Sequence, residues 1–180
     1  MKNILYLSAF ALMAISVPAC NENKRAKNYN EKSLVDDQGS AFIKEANEAG
    51  MTEIKSAMVA QSKSANSRVL GFAKMMVTDH TVAGNELKKI AESKFVNIKD
   101  AKDTLSVEHQ QMITDMSKLS GPAFDKAYMQ MMVTDHGKVI ELFQSVTRNT
   151  NKALNNFAEK TLPKLQMHLD SAKAIYASLK

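Results

Sequence analysis

Apolar residues recur at helical spacing along most of the chain that follows residue 35. Asp36 or Asp37 is a good N-cap, and the pattern from there predicts a helix to about Ser64. The same periodicity predicts further helices over Arg68 to about Ser93, Ser106 to Leu119, Pro122 to about Arg148, and residues 152–179. Pro163 lies inside the last segment, where it predicts a kink or a new helix that starts at Thr161.

A six-residue segment occurs twice in the chain. The sequence from Met75 to His80 is repeated from Met131 to His136, in the second and fourth predicted helices. Two copies inside long helices favour two helical hairpins related by pseudo-symmetry. A repeat solenoid would need at least three copies. The predicted fold class is therefore all-α, a four-helix bundle with one additional short helix.

The N-terminus has the layout of an export signal. Lys2 precedes an apolar run from Ile4 to Ile15, which is too short to span a bilayer as a helix. The segment from Val17 to Cys20 resembles the lipobox of bacterial lipoproteins, in which the cysteine carries a diacylglyceryl group. The alternative is an ordinary secretory signal followed by a free thiol.

These features predict three parts of the chain. Residues 1–19 are expected to be a lipoprotein signal peptide, residues 20–35 the lipidated Cys20 and a polar tether, and residues 36–180 the helical bundle domain. Several acyl chains on one residue give stable anchoring. We therefore expect the protein in the bacterial cell envelope, anchored to a membrane that faces the periplasm, with the outer membrane preferred.

Composition excludes several classes of protein. The chain is 44% hydrophobic but only 6% aromatic, with 6 glycines and 3 prolines, which argues against an all-β fold. The net charge of +5 is spread along the chain, without a basic block interleaved with aromatic residues, so nucleic-acid binding is not indicated. A single cysteine allows neither an internal disulfide nor a thiolate metal cluster.

Each of the four long predicted helices carries one residue of metal-ligand type on its apolar face. These residues are Glu53, His80, His136 and His168. A lone buried carboxylate is costly unless it is paired, protonated or metal-bound. One hypothesis is therefore a transition metal ion held by these four side chains. The other is a buried polar network without metal.

Neighbouring residues refine this hypothesis. Asp79 and Asp135 each precede a histidine by one position, about 100° around the helix, so we expect them to contact ligands or other helices rather than the ion. His109 lies on the short helix and is expected to be solvated. A di-iron centre would need Glu-x-x-His on two helices, and the histidines of the long helices are instead preceded by Val77, Val133 and Leu165.

Three functions follow from these residues. The preferred one is a lipid-anchored protein that binds a metal ion for sequestration or stress protection. The second is a metal-free structural or partner-binding bundle. An enzyme, such as a metal-dependent hydrolase or oxidase, is the least favoured, since no separate general base stands near the four residues.

Four motifs resemble a bacterial envelope family known as a ferritin-like domain of unknown function and often labelled "predicted outer membrane protein". They run from Ala49 to Glu53, from Phe72 to His80, from Phe124 to His136, and from Phe157 to Leu169. The resemblance covers about residues 36–179. It implies a ferritin-like helical bundle in the periplasm or on a membrane face, but it supplies neither a substrate nor a reaction.

Overall fold

The computed structural model describes residues 35–99 and 105–179, which form five helices and no strand. The helices are α1 (Asp37–Lys63), α2 (Ser67–Ser93), α3 (Val107–Ser117), α4 (Gly121–Ser145) and α5 (Lys152–Ser178). The predicted all-α bundle of four long helices and one short helix is confirmed. The predicted signal peptide, Cys20 and nearly all of the predicted tether lie outside the described residues. Within those residues, every helix is too short or too polar to cross a membrane.

Side-chain caps fix where most of the helices begin. The Asp36 carboxylate accepts a hydrogen bond from the Gly39 N–H at 2.7 Å at the start of α1. Asn66, Ser106 and Asn151 cap α2, α3 and α5 in the same way. Each cap satisfies backbone donors that have no partner inside the helix.

The long helices form two antiparallel hairpins, α1/α2 and α4/α5, which pack side by side. α1 contacts α4, and α2 contacts α5, so α2 and α4 lie on one diagonal of the bundle. The Gln38 side chain near the start of α1 donates to the Ser145 carbonyl at the end of α4. α1 and α4 are therefore antiparallel, and α2 and α4 run in the same direction.

Because α2 and α4 are parallel, the chain must return along the whole bundle between them. The described parts of this crossover, which includes α3, follow α1. The Asn47 amide donates to the Lys99 carbonyl at 3.0 Å, and Lys63 donates to the Leu119 carbonyl at 3.4 Å. Between these two points, the Glu48 carboxylate accepts the Ser106 N–H at 2.7 Å.

The two copies of the repeated segment occupy different places in the hairpins. The first lies on the second helix of its hairpin, and the second lies on the first helix of the other. The parallel direction of α2 and α4 brings His80 and His136 together across the diagonal, with ring centroids 5.6 Å apart.

The core consists of two apolar clusters separated by a polar layer. One cluster is built around Phe42, Phe143 and Phe157, and the other around Phe72 and Tyr128. On α1, α2 and α4 the polar residue lies between the stretches that supply the two clusters, and on α5 His168 lies near the end of the stretch that supplies the first cluster. The members of this polar layer are Glu53, His80, His136 and His168.

α5 continues through Pro163 without interruption, so the predicted alternative of a new helix at Thr161 is wrong. Pro163 is exposed, and its ring does not have to fit into the core. The Thr161 hydroxyl donates to the Phe157 carbonyl at 2.7 Å on the same helix. Packing of the helix on both sides of the proline outweighs the loss of one backbone hydrogen bond.

Candidate metal centre

The structure brings the four predicted ligand-type side chains together in the polar layer. Glu53, His80, His136 and His168 are 1%, 6%, 0% and 1% exposed. The ring centroids of His168 lie 5.3 Å from His80 and 5.4 Å from His136. Each long helix therefore contributes one residue to a single buried cluster.

Glu53 lies between two of the imidazoles. Its Oε2 is 2.9 Å from Nδ1 of His80, and its Oε1 is 3.2 Å from Nδ1 of His136. These are short polar contacts rather than well-aligned hydrogen bonds, because neither carboxylate oxygen has an aligned donor among the described residues. His136 Nδ1 also lies 3.0 Å from the carbonyl oxygen of Met132, four residues earlier on α4.

The third imidazole contacts a different carboxylate. His168 Nε2 lies 3.0 Å from Oδ2 of Asp79 on α2. Lys164 donates to the other oxygen of the same carboxylate at 2.9 Å. Since a carboxylate can only accept, Nε2 of His168 carries the proton and Nδ1 is left as the acceptor nitrogen.

Each histidine keeps one ring nitrogen without a partner. These buried atoms are His80 Nε2, His136 Nε2 and His168 Nδ1, and no described residue hydrogen-bonds to them. The three rings can each offer one nitrogen within 4.8 Å of the nitrogens of the other two. Two imidazole nitrogens on one tetrahedral ion are about 3.4 Å apart. Small side-chain rotations would therefore allow all three to bind one ion.

The charges of Glu53, His136 and His168 favour this arrangement, whereas that of His80 does not. Burial alone would raise the pKa of Glu53, but His80 and His136 lower it to about 2, so the carboxylate is ionised. Burial lowers the pKa of His136, and it lowers the pKa of His168 to about 4 in spite of Asp79. Both rings are thus neutral near pH 7, the form that binds metals. For His80 the carboxylate of Glu53 outweighs burial and raises the pKa.

The two aspartates of the repeated segment have different surroundings. Asp79 contacts His168, whereas Asp135 makes no hydrogen bond to any residue that the structure describes. Burial, together with the nearby charge of Glu53, raises the pKa of Asp135 to about 6. The equivalent positions in the repeat therefore do not have equivalent roles.

His109 lies outside the cluster. Its Nδ1 is 3.0 Å from Oε1 of Glu48, and its side chain is 33% exposed. This contact joins α3 to α1 on the outside of the bundle.

Sequence reasoning missed two groups, one that contacts an imidazole directly and one that contacts it through Asp79. The Met132 carbonyl lies one helical turn before His136, a position that the spacing alone could have suggested. Lys164 also lies one turn before His168, but its contact with Asp79 depends on how α2 and α5 pack. No local signal in the sequence indicates that packing.

Comparison with known proteins gives a family but no activity. The family model described as "Domain of unknown function (DUF4142)" matches residues 24–175. No curated protein and no solved structure matches the chain.

Proposed function

We propose a metal-binding function for this chain, which belongs to the DUF4142 family of domains of unknown function. One divalent transition metal ion binds to Nε2 of His80, Nε2 of His136 and Nδ1 of His168. The observation that carries this proposal is that each of these three buried nitrogens lacks a hydrogen-bond partner among the described residues, on rings that can each offer one nitrogen within 4.8 Å of the others. Unpartnered buried polar atoms are rare in folded proteins because each one is costly.

The contacts of the second ring nitrogen of each histidine, the one that does not bind the ion, also support the proposal. His80 and His136 face Glu53 with Nδ1, and His168 faces Asp79 with Nε2. Metal-binding histidines characteristically hold a carboxylate or a carbonyl with the nitrogen that does not bind the metal. In this arrangement Glu53 orients two ligands and balances part of the charge of the ion. The sequence analysis expected Glu53 to be a fourth ligand instead.

The ligand set favours a particular group of ions. Imidazole suits Zn²⁺, Cu²⁺, Ni²⁺ and Fe²⁺, whereas Mg²⁺ and Ca²⁺ prefer oxygen ligands. Three histidines leave at least one coordination position of the ion open. Sequestration of such an ion, or protection against metal stress, fits a protein that carries one buried site.

The test is metal uptake by the purified chain. We expect equilibrium dialysis against Zn²⁺ or Co²⁺ to give one bound ion per chain, and the Co²⁺ form to show the visible absorption of a site with nitrogen ligands. His80→Ala and His136→Ala should abolish uptake. His109→Ala is the matched control, because it removes the surface histidine and should leave uptake unchanged. A wild-type chain that binds no divalent ion would refute the proposal.

We also propose that the protein is a lipoprotein of the bacterial cell envelope, anchored through Cys20 to a membrane that faces the periplasm. Val17 to Cys20 supply the lipobox-like segment. We further propose that the helical domain is ferritin-like. The long crossover between α2 and α4 supports this, since ferritin-like bundles have one such connection. In a bacterial host, the wild-type chain should fractionate with membranes and incorporate labelled fatty acid. Cys20→Ser should do neither.

A second candidate function is a metal-free bundle in which the polar layer is structural. The raised pKa of His80 beside the ionised Glu53 favours it, because a protonated His80 would balance the buried carboxylate. In that case the double variant His80→Leu/His136→Leu should fold with stability equal to or greater than that of the wild type. The metal-binding proposal expects instead that the variant loses the stabilisation that added Zn²⁺ gives the wild type.

A further inference from the structure

A cavity of about 310 Å³ lies beside the three histidines. Residues from α1, α2, α4 and α5 line it, together with Ile98 and Lys99 from the start of the crossover. Exposed residues such as Thr81 and Asn85 belong to its wall, as do the buried His80 and His168. The cavity therefore connects the protein surface with the polar layer. Its volume is about twice that of an engineered apolar cavity of about 150 Å³ that binds benzene.

Most of the wall is apolar. The aliphatic and aromatic residues that line the cavity are Ala46, Ile54, Ala83, Leu87, Ile98, Val139, Phe143, Phe157 and Leu165. Gly50 on α1 and Gly84 on α2 also line it, and a Cβ atom added to either glycine would meet no atom within 4 Å. The two glycines thus leave space in the hairpin where side chains would otherwise fill the gap.

The inner end of the cavity is polar. His80 and His168 are 6% and 1% exposed, and each has one ring nitrogen without a partner among the described residues. Both belong to the proposed metal site, so a molecule in the cavity would lie next to the bound ion. The open coordination position of a three-histidine site is available to such a molecule.

Charge indicates which kind of molecule fits. Three lysines (Lys88, Lys99 and Lys164) and two carboxylates (Glu53 and Asp79) line the cavity. Lys164 balances the charge of Asp79, and a divalent ion on the histidines would exceed the single charge of Glu53, so the inner end has a net positive charge when the ion is bound. A negatively charged group is therefore favoured at the inner end, and an apolar body is favoured along the rest of the wall.

We propose that the cavity binds a small monocarboxylate with an apolar body, whose carboxylate occupies the open position of the metal ion. This inference rests on the proposed metal-binding function. A body of about eight carbon atoms suits a pocket at the small end of the range for ligand sites. The carboxylate supplies the anionic ligand, and the chain replaces water along the apolar wall.

Octanoate and acetate are the probes for this proposal, and calorimetry of the Zn²⁺-loaded chain gives their affinities. We expect octanoate to bind about 100-fold more tightly than acetate, because only octanoate buries an alkyl chain. Octanoate should also change the visible spectrum of the Co²⁺-loaded chain, and it should bind at least about tenfold more weakly when the metal is removed.

Gly84→Leu fills the cavity without changing any histidine. It should weaken octanoate binding at least about tenfold and leave both metal uptake and acetate binding unchanged. Gly71→Leu is the matched control, since Gly71 is an exposed glycine of the same helix outside this cavity. Gly50→Leu fills the space from the opposite helix and should repeat the result if Gly84→Leu folds poorly, which circular dichroism would detect.

The outcomes separate this inference from the metal-binding proposal. Metal uptake is measured first, and a chain that binds no ion refutes both. If the ion binds but octanoate does not, or if Gly84→Leu and Gly50→Leu bind octanoate like the wild type, only the cavity proposal fails. An unchanged Co²⁺ spectrum at saturating octanoate would show that the carboxylate does not reach the ion, which also overturns it.

Discussion

Asp79 connects two helices through a single carboxylate. One oxygen lies 3.0 Å from His168 and the other accepts from Lys164, both on α5. The pKa of Asp79 is lowered because these contacts outweigh its burial. The ionised carboxylate thereby fixes which nitrogen of His168 is free.

Asp79→Ala should weaken Zn²⁺ binding about 10–100-fold, because the His168 ring loses the group that fixes its orientation and tautomer. The affinity can be measured by competition with a chromophoric chelator. Asp170→Ala is the control, since Asp170 is an exposed acid of α5 whose carboxylate accepts a hydrogen bond from Gln166. Equal affinities for the wild type and Asp79→Ala would contradict the orienting role of Asp79.

Glu48 is one of the residues of α1 that hold the crossover, and it makes several contacts with it. Its carboxylate accepts the Ser106 N–H and contacts His109 and Lys99. Burial alone would raise the pKa of Glu48, but these three contacts lower it from 4.5 to about 2. A carboxylate with a lowered pKa stabilises the folded state above its unfolded pKa, and this contribution is lost as the pH falls from about 4.5 to about 2.

Glu48→Gln should therefore lower the free energy of unfolding by about 1 kcal/mol at pH 7, a modest effect because water screens the partly exposed partners. The difference from the wild type should shrink below about pH 4.5 and nearly vanish at about pH 2. Urea unfolding at several pH values measures it. Glu45→Gln, at an exposed position of the same helix, is the control. A difference that stays constant with pH would contradict the assignment.

The identity of the four polar-layer residues could be predicted from the sequence, whereas their individual roles could not. His80 and His136 share a helix face with apolar neighbours, so helical periodicity alone places them in the core. Which nitrogen of each ring faces Glu53, Asp79 or a carbonyl depends on side-chain rotamers and on the packing of other helices. The four-ligand hypothesis thus found the cluster but did not distinguish Glu53 from the histidines.

Among the helices, α5 shows how tertiary packing overrides a local signal. Pro163 lacks the N–H that would bond to the carbonyl four residues earlier, and yet the helix continues from Lys152 to Ser178. Leu154 and Phe157 pack in the core before the proline, and Leu165 and Leu169 do so after it. The apolar stripe on both sides keeps the segment helical.

Pro163→Ala should raise the free energy of unfolding by about 1–2 kcal/mol. The helix gains about 3 kcal/mol in propensity and hydrogen bonding, and the more flexible unfolded chain offsets part of it. Chemical denaturation of both proteins under the same conditions measures the change. Glu159→Ala, an exposed change in the preceding turn of α5, shows what a simple surface substitution does. A less stable Pro163→Ala variant would indicate that the packing of α5 requires the proline.

Helix starts were easier to predict than helix directions. Asp36, Asn66 and Ser106 are local caps, and a cap can be recognised from a few residues. The prediction extended α4 to about Arg148, but the helix ends at Ser145 and turns follow. The parallel direction of α2 and α4 depends on the path of the crossover, which periodicity within a helix does not encode.

For the whole molecule, the proposed ligands come from both hairpins. His80 belongs to α1/α2, whereas His136 and His168 belong to α4/α5. The site is therefore complete only when the two hairpins have docked. An ion that binds there stabilises the docked state and has little affinity for either hairpin alone.

Zn²⁺ at about 100 times its dissociation constant should raise the free energy of unfolding by about 2.7 kcal/mol. Most of this gain should appear as slower unfolding rather than faster folding. The reason is that the site forms when the hairpins dock, which we expect to happen after the transition state for folding. Stopped-flow measurements with Zn²⁺ or with a chelator test both statements. His136→Ala should show neither effect, and equal unfolding rates of the wild type with and without Zn²⁺ would contradict the late completion of the site.

The polar layer between the two apolar clusters also constrains how the long helices are aligned along their axes. Methionine is common in the cluster around Phe72 and Tyr128, and this flexible side chain tolerates a neighbouring helix that slides along its axis. If one helix moved along its axis by one turn, about 5.4 Å, its imidazole would enter an apolar cluster and move away from the Glu53 carboxylate. The histidines thus select one axial alignment of the four long helices. Any alignment shifted by one turn has a much higher free energy, whether or not an ion is bound.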